Sequence, residues 1–496
     1  MSYLLSLDQG TTSSRTTLFT ATGETVATAS RPFAQHYPRP GWVEHDPEEI
    51  WESQLATLKE VLASAPVPLS AIASLGITNQ RETTIVWERG SGRPLYRAIV
   101  WQDRRCAPLT DRLAAEGLEP EIARRTGLLL DPYFSAGKLA WLFENVPGLK
   151  ERGERGEICF GTVDSWLIYR LSGGRLHLTD LSNASRTLLF NIHTLDWDAE
   201  LLRIFGIPAA ILPRVLPSAS PFGSCEKAVT GMAVPITGVA GDQQAALFGQ
   251  GCLRPGMAKA TFGTGAFVMM NSGREGGKGE GVLTTVAWQL PGEPVTYALE
   301  GSIFIAGAAV QWLKEGLGII GSAAEVESLA RSVPDAGGVF FVPALSGLGT
   351  PYWDPHARGV IAGLTRGSSR AHLARAALEA IAYQTADATA AMVAGCGVPL
   401  SELRVDGGAA ANDLLLEFMA GVVGAPVLRP ACTESTSLGA AFLGGIGAGV
   451  LDAEAAAACW RLEKRFEPGI GEERRRELLA RWRRSVRLSL GWDAPG

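Results

Sequence analysis

The stretch Asp8-Gln9-Gly10-Thr11-Thr12-Ser13-Ser14-Arg15 puts one glycine, four hydroxyls and one guanidinium into a single turn. Glycine lets backbone N–H groups approach an oxyanion, hydroxyls donate without adding charge, and a guanidinium clamps phosphate oxygens. Far downstream, Thr261-Phe262-Gly263-Thr264-Gly265 offers similar donors. An ordinary polar hairpin would explain either turn alone, but the pair points to a shared polyphosphate ligand. Arg404-Val405-Asp406-Gly407-Gly408-Ala409-Ala410-Ala411-Asn412-Asp413 reads as a strand, a glycine turn and a helix start. Small residues there allow flat contact with a base or ribose, with Asn412 able to hydrogen-bond to either; a tight strand–helix packing turn is the alternative. The spacing is not G-x-G-x-x-G, and the chain contains no G-x-x-x-x-G-K-[ST], so neither a dinucleotide fold nor a P-loop holds the nucleotide.

Acceptor chemistry has its own candidates. Asp242 follows the apolar run Val234–Val239 and is flanked by Gly241 and Gln243, so its carboxylate can take a proton from a substrate hydroxyl, unless it caps a helix instead. Thr78-Asn79-Gln80-Arg81-Glu82-Thr83-Thr84 packs amide, cation, anion and hydroxyl groups suited to a small polyol, or forms a plain surface ion pair. Trp101 and Tyr133 can supply an aromatic wall and one hydroxyl, or simply fill a core. The six histidines make no pair at metal-binding spacing, which disfavours histidine chemistry.

These groups need a large scaffold. At 496 residues the chain is long enough for two large domains, and 46% hydrophobic against 19% charged residues describes a globular protein. A formal net charge of −6 suggests neither a nucleic-acid stripe nor a basic membrane face. The seven cysteines are scattered singly, as in a reduced, cytoplasmic protein. The N-terminus meets Asp8 after a short apolar run and reads as a strand rather than a signal peptide. Gly439–Val450 is short and glycine-rich, a buried helix rather than a membrane span.

Short β-prone runs at Tyr3–Leu7, Arg15–Thr20 and Thr25–Arg31 predict a three-strand meander. Asp46 as N-cap, Pro47 at the first position and acids in the first turn predict a helix to about Ala63. Ile72–Thr78 and Thr83–Trp87 are expected strands, and Lys138–Glu144 and Thr162–Leu171 are expected helical. The strand–turn–strand pattern recurs at Met257–Phe262 and Ala266–Met270, which predicts a duplicated α/β domain with a boundary near Gly251 and an alanine- and arginine-rich tail of surface helices.

Taken together these stretches, with Pro40-Gly41-Trp42-Val43-Glu44-His45-Asp46-Pro47, Gly241-Asp242-Gln243-Gln244-Ala245-Ala246-Leu247-Phe248-Gly249 and Gly349-Thr350-Pro351-Tyr352-Trp353-Asp354-Pro355, closely resemble the FGGY family of carbohydrate kinases, in particular its glycerol-phosphorylating branch. The resemblance runs from about Leu4 to Phe466. It implies an actin-like (ribonuclease H-like) ATPase fold of two duplicated domains, residues 1–251 and 252–496, with a central cleft that closes on ATP and glycerol. It implies a phosphotransferase that moves the γ-phosphoryl group of Mg-ATP to the 3-hydroxyl of glycerol. Motif by motif, it implies Asp242 as general base; Arg81, Glu82, Tyr133 and Gln243 on the polyol hydroxyls; and Trp101 and Phe267 against the carbon backbone. Thr11, Thr12, Ser13, Arg15 and Thr264 would meet the phosphates, while Gly307, Gln311, Gly408 and Asn412 would line the nucleotide site. Asp8 and Asp242 would orient water on Mg²⁺ carried by ATP.

The resemblance also implies a homodimer or homotetramer. It departs from relatives at their control points. Where some bind fructose 1,6-bisphosphate through a Gly/Arg pair, Ala233 stands at the arginine position. Pro468-Gly469-Ile470-Gly471 lacks the glutamate that binds a sugar-phosphotransferase protein, and no histidine lies between His193 and His356 for activation by phosphorylation. None of these controls is therefore expected. A kinase for a pentulose or erythritol, and a non-catalytic nucleotide switch, are the competing readings; the Arg81, Glu82, Trp101 and Tyr133 set argues against both.

Overall fold

The computed structural model describes residues 2–432 and 434–494. The chain forms two compact units. The first comprises Met1–Gly251, Thr284–Tyr297 and Glu434–Cys459; the second comprises Cys252–Leu283, Ala298–Thr433 and Trp460–Gly496. The expected halves, 1–251 and 252–496, therefore differ from the units in two segments that return to the first.

In the first unit, strands Tyr3–Gln9 (β1), Ser13–Thr20 (β2), Thr25–Pro32 (β3), Ile72–Asn79 (β4), Ala219–Ser224 (β5) and Pro235–Gly241 (β6) form one sheet in the order β5-β6-β4-β1-β2-β3. The meander β1–β2–β3 is antiparallel, whereas β1, β4 and β6 run parallel. Parallel strands are covered on both faces, so β1 reads Leu4-Leu5-Ser6-Leu7 without polar alternation, and all four residues are buried.

Leu75 and Ile77 of β4 point to a core with Ile50, Trp51, Trp87 and Trp166. The helix Pro47–Ser64 supplies Ile50 and Trp51, and Asp46 caps it by accepting the Glu48 N–H at 2.9 Å. Gly76 alternates to the other face, against the helix Ser435–Gly447. A Cβ at Gly76 would lie 1.9 Å from the Ala440 carbonyl oxygen, so backbone meets backbone there. This packing recruits the 434–459 segment to the first unit. The glycine-rich 439–450 stretch is accordingly buried helix through Gly445, but the helix stops at Gly447, and Ala448 and Gly449 are exposed.

In the second unit, Met257–Phe262 (β7), Ala266–Gly273 (β8), Glu402–Gly407 (β9), Val427–Pro430 (β10) and Leu462–Phe466 (β11) line up as β8-β7-β9-β10-β11. Helices Arg370–Cys396 and Asp413–Val423 bring Ile381, Tyr383, Leu415 and Met419 onto Leu403, Val405 and Val427. β7 is antiparallel to β8 and parallel to β9, as β1 is to β2 and β4. The repeated Gly-Thr turns thus sit at equivalent corners of two like sheets.

Two expectations need correction. The tail holds helices Ala453–Ala458 and Glu472–Arg487, but between them β11 is a strand. Its Leu-Glu-Lys-Arg-Phe sequence is that of a charged sheet edge, which has no apolar run to announce a strand. The strand expected from Thr83 starts at Ile85, because the turn runs through Thr83 and Thr84 bridges to Ile99.

Candidate active site

In the first unit, the carboxyl ends of β1, β4 and β6 lie side by side, with Gln9 opposite Asn79 and Asn79 opposite Gly241. Ligands of open α/β sheets bind at such ends. Asp8, Arg81, Glu82 and Asp242 all fall there. The turn after β4 is tied down by Gln80 N–H donating to the Gln9 carbonyl and Thr83 N–H to the Arg81 carbonyl, both at 2.7 Å. It forces Glu82 to φ +59°, a strained position for a non-glycine residue.

Asp242 opens the helix Asp242–Gly249 with Gly241 as N-cap, so the capping alternative does not hold. Its Oδ1 accepts the Gln243 N–H at 2.7 Å and lies 3.2 Å from Arg81 Nε. Arg81 Nη1 also donates to Gln244 Oε1 at 3.3 Å. The Arg81 side chain is 2% exposed and that of Asp242 is 31% exposed. A buried cation thus holds a carboxylate that stays partly exposed. Arg81 and Glu82 are no surface ion pair.

Trp101 and Tyr133 are half-buried, not core residues. Their rings meet edge to face at 5.6 Å, and Trp101 Nε1 donates to Thr11 Oγ1 at 3.0 Å. Two cations that sequence reasoning passed over hold this wall. Arg186, fully buried, donates from Nε to Glu82 Oε1 at 2.7 Å and lies over the rings of Tyr133 and Phe134. Lys138, fully buried, donates to the carbonyls of Pro132 at 2.9 Å and Phe134 at 3.1 Å, and to that of Tyr133. Burial pulls its ammonium down to about 8. One signal was available: Lys138 sits in Ser135-Ala136-Gly137-Lys138-Leu139-Ala140-Trp141, a lone cation in an apolar helix.

Asp8 accepts from Ser437 Oγ at 2.8 Å. Burial pushes its carboxyl up to about 6, the Ser437 bond and the Arg15 charge opposing and the Asp242 charge adding. Arg15 forms an ion pair with Glu434 across the edge of this unit. Thr12 is exposed at the turn and Thr11 and Ser13 are half-buried, while Ser14 turns inward to Gln9 Oε1 at 2.8 Å. Among the described residues, no group of three or more His, Cys, Asp or Glu side chains is gathered to hold a metal ion.

The second unit repeats the corner. Phe262 opposes Gly407, so the turns after β7 and β9 are neighbours. Gly263 and Thr264 are exposed, and their carbonyls accept from Gly307 and Ala308 N–H, both at 3.0 Å, at the start of the helix Gly307–Glu315. A Cβ at Gly307 would lie 2.6 Å from the Gly263 oxygen, which is a packing reason for that glycine. Gly408 has none: a Cβ there would meet nothing within 4 Å, leaving space for a flat ligand. Asn412 caps the helix Asp413–Val423, its side-chain oxygen accepting the Leu415 N–H at 2.9 Å, which leaves its amide NH₂ able to donate elsewhere. Gln311 is exposed and bonded to Glu315 at 3.1 Å; Phe267 is half-buried in β8 opposite Thr261.

Residues 3–249 match the N-terminal domain of the FGGY family of carbohydrate kinases and residues 258–448 match its C-terminal domain. The glycerol kinase of Citrifermentans bemidjiense is 70% identical over 99% of this chain and 100% of its own length. That of Thermus brockianus is 59% identical over 100% of both. Plasmodium falciparum glycerol kinase with ADP has a TM-score of 0.94 at 34% identity, covering 99% of this chain and 98% of that one. A xylulose kinase from Rhodospirillum rubrum scores 0.86 at 25% identity over 98% of each chain. The chain belongs to the FGGY family of carbohydrate kinases and falls among its glycerol kinases. The fold is the actin-like α/β fold, and the chemistry is ATP-dependent phosphorylation.

Proposed function

We propose that this chain transfers the γ-phosphoryl group of Mg-ATP to the 3-hydroxyl of glycerol, giving sn-glycerol 3-phosphate and ADP in cytoplasmic glycerol catabolism. The observation that carries the reading is the Arg81–Asp242 contact at the strand ends, a buried cation orienting a carboxylate that substrate can reach. In-line transfer asks little covalent chemistry of a protein: a hydroxyl aligned with phosphorus, a base for its proton and charge to meet the phosphates.

Asp242 takes the proton from the 3-hydroxyl. Arg81, Glu82, Tyr133 and Gln243 hold the polyol hydroxyls, and Trp101 and Phe267 cover its carbons. Thr11, Thr12, Ser13, Arg15 and Thr264 meet the phosphates; Gly307, Gln311, Gly408 and Asn412 line the nucleoside. On this reading residues 1–251 carry the first phosphate turn and the acceptor site apart from Phe267, and residues 252–496 the second phosphate turn and adenine site. Asp8 and Asp242 would fit a Mg²⁺ held through water, for burial raises the Asp8 carboxyl and the neighbouring Asp242 charge adds to the rise, which a cation would offset. Such an ion neutralises the phosphate oxygens when bound.

Arg81→Ala should weaken glycerol binding by about 1–3 kcal/mol, through loss of a buried charged hydrogen bond, with a smaller change in kcat. An unchanged KM for glycerol would remove Arg81 from the acceptor site. Because the Asp8 carboxyl lies near 6, its useful anionic form is lost as pH falls through that value, so kcat/KM should decline on the acid side. The Ser437 bond favours the anion. Ser437→Ala should therefore move the acid limb to higher pH, and a pH profile that stays put would separate Asp8 from activity.

Product analysis tests the function itself. Phosphorus NMR of a reaction with glycerol should show one phosphomonoester, assigned as the sn-3 isomer by a stereospecific dehydrogenase. Inorganic phosphate as the sole product would contradict it.

A further inference from the structure

Behind the turn that carries Arg81 and Glu82, one buried carboxylate reaches both strand ends. Asp180, fully buried, closes the short strand Leu178–Asp180. Its Oδ1 accepts from the Asn183 N–H and Asn183 Nδ2, both at 2.9 Å, and from Ser182 Oγ at 3.0 Å. Its Oδ2 accepts from the Ser182 N–H at 2.9 Å and Ser218 Oγ at 2.8 Å. Both oxygens are thus occupied within the protein, and the group itself touches no substrate.

Two arms leave this hub. In one, Ser182 Oγ accepts the backbone N–H of Gly241 at 2.9 Å, directly before Asp242. The ladder between β5 and β6 ends at Ala219 and Gly238, so Ser182 provides the acceptor that a neighbouring strand would otherwise supply. In the other, Asn183 and Asn79 exchange amide hydrogen bonds at 3.0 and 3.1 Å, at the residue where β4 hands over to Gln80 and Arg81. The Asn79 amide also donates to the Gln80 carbonyl at 2.9 Å, inside the turn.

We propose that Asp180 is a positioning residue for phosphoryl transfer, fixing Asp242 through Ser182 and the Arg81–Glu82 turn through Asn183. The assignment rests on the roles proposed above for Asp242 and Arg81. Rigid placement matters because a displacement of about 1 Å at a reacting group can cost about 10²-fold in rate. A buried carboxylate satisfied on both oxygens holds such placement better than a solvated loop does.

The arms end on different groups, so they fail differently. Ser182→Ala should lower kcat about 10- to 100-fold and change KM for glycerol by less than about twofold. Asn183→Ala should raise KM for glycerol about tenfold or more and change kcat by less than about threefold. Ser218→Ala takes a hydrogen bond from the same carboxylate but reaches neither arm, and should leave both parameters unchanged. Asp180→Asn, if it folds, should impair both. Thermal unfolding of each variant accompanies the kinetics. The proposal is overturned if Ser182→Ala and Asn183→Ala keep wild-type parameters, or if all three alanine variants lose kcat and KM together in proportion to stability. Asp242→Asn and Arg81→Ala belong in the same series. If those two are impaired while the arm variants are normal, only the hub fails; if those two are normal, the underlying roles fail and the hub with them.

Discussion

Asp242→Asn lowers kcat by about 10²–10⁴-fold, the range expected when a general base is removed from a transfer to an alcohol. The substitution keeps the shape of the side chain. Its amide oxygen can still accept the Gln243 N–H and face Arg81, as Oδ1 does now at 2.7 and 3.2 Å. What disappears is the capacity to take a proton. KM for glycerol should therefore stay within about twofold, since an interaction made only in the transition state appears in kcat. Steady-state kinetics at saturating ATP read both parameters. Turnover near wild type would exclude Asp242 as the base.

Gly76→Ala should damage folding more than any surface substitution in the chain. The added methyl carbon would lie 1.9 Å from the Ala440 oxygen and 2.4 Å from its carbonyl carbon, and neither atom is the end of a flexible side chain. Strand and helix would have to part along their length, at a cost of about 3 kcal/mol or more. At about 2–4 °C per kcal/mol for a unit of this size, unfolding should shift down by roughly 6–12 °C. Gly408→Ala makes the comparison informative. Its Cβ would meet no protein atom within 4 Å, so stability should change by less than about 0.5 kcal/mol while KM for ATP rises. Equal melting temperatures for the two variants would refute the packing argument.

Much of this was legible in the chain. Buried parallel strands announce themselves as apolar runs, so β1 and β7 were found by composition and by the glycine turns that follow them. Asp46, Pro47, Glu48 and Glu49 spelled a helix start because capping is local chemistry. The same is true of Asp242 and of Arg81 with Glu82, which lie immediately beyond strand ends. What escaped depends on partners far apart in sequence. Arg186 meets Glu82, Arg15 meets Glu434 and Asn183 meets Asn79, and no spacing rule joins such pairs. The return of 434–459 to the first unit is of that kind too. Its glycines signalled close packing without naming the surface. Asn412 shows a subtler limit, for its side chain caps a helix, and its sequence context suits that role as well as the nucleotide contact proposed for it.

The most direct test of the account is ADP release by the purified protein with Mg-ATP and, in turn, glycerol, xylulose, ribulose, erythritol or no acceptor. Fast release with glycerol, giving kcat/KM at least about 10²-fold above every other acceptor, is the predicted result. Slow ATP hydrolysis at the same rate with and without each polyol would contradict it, and Arg81, Glu82, Tyr133 and Asp242 would lose their assigned roles together.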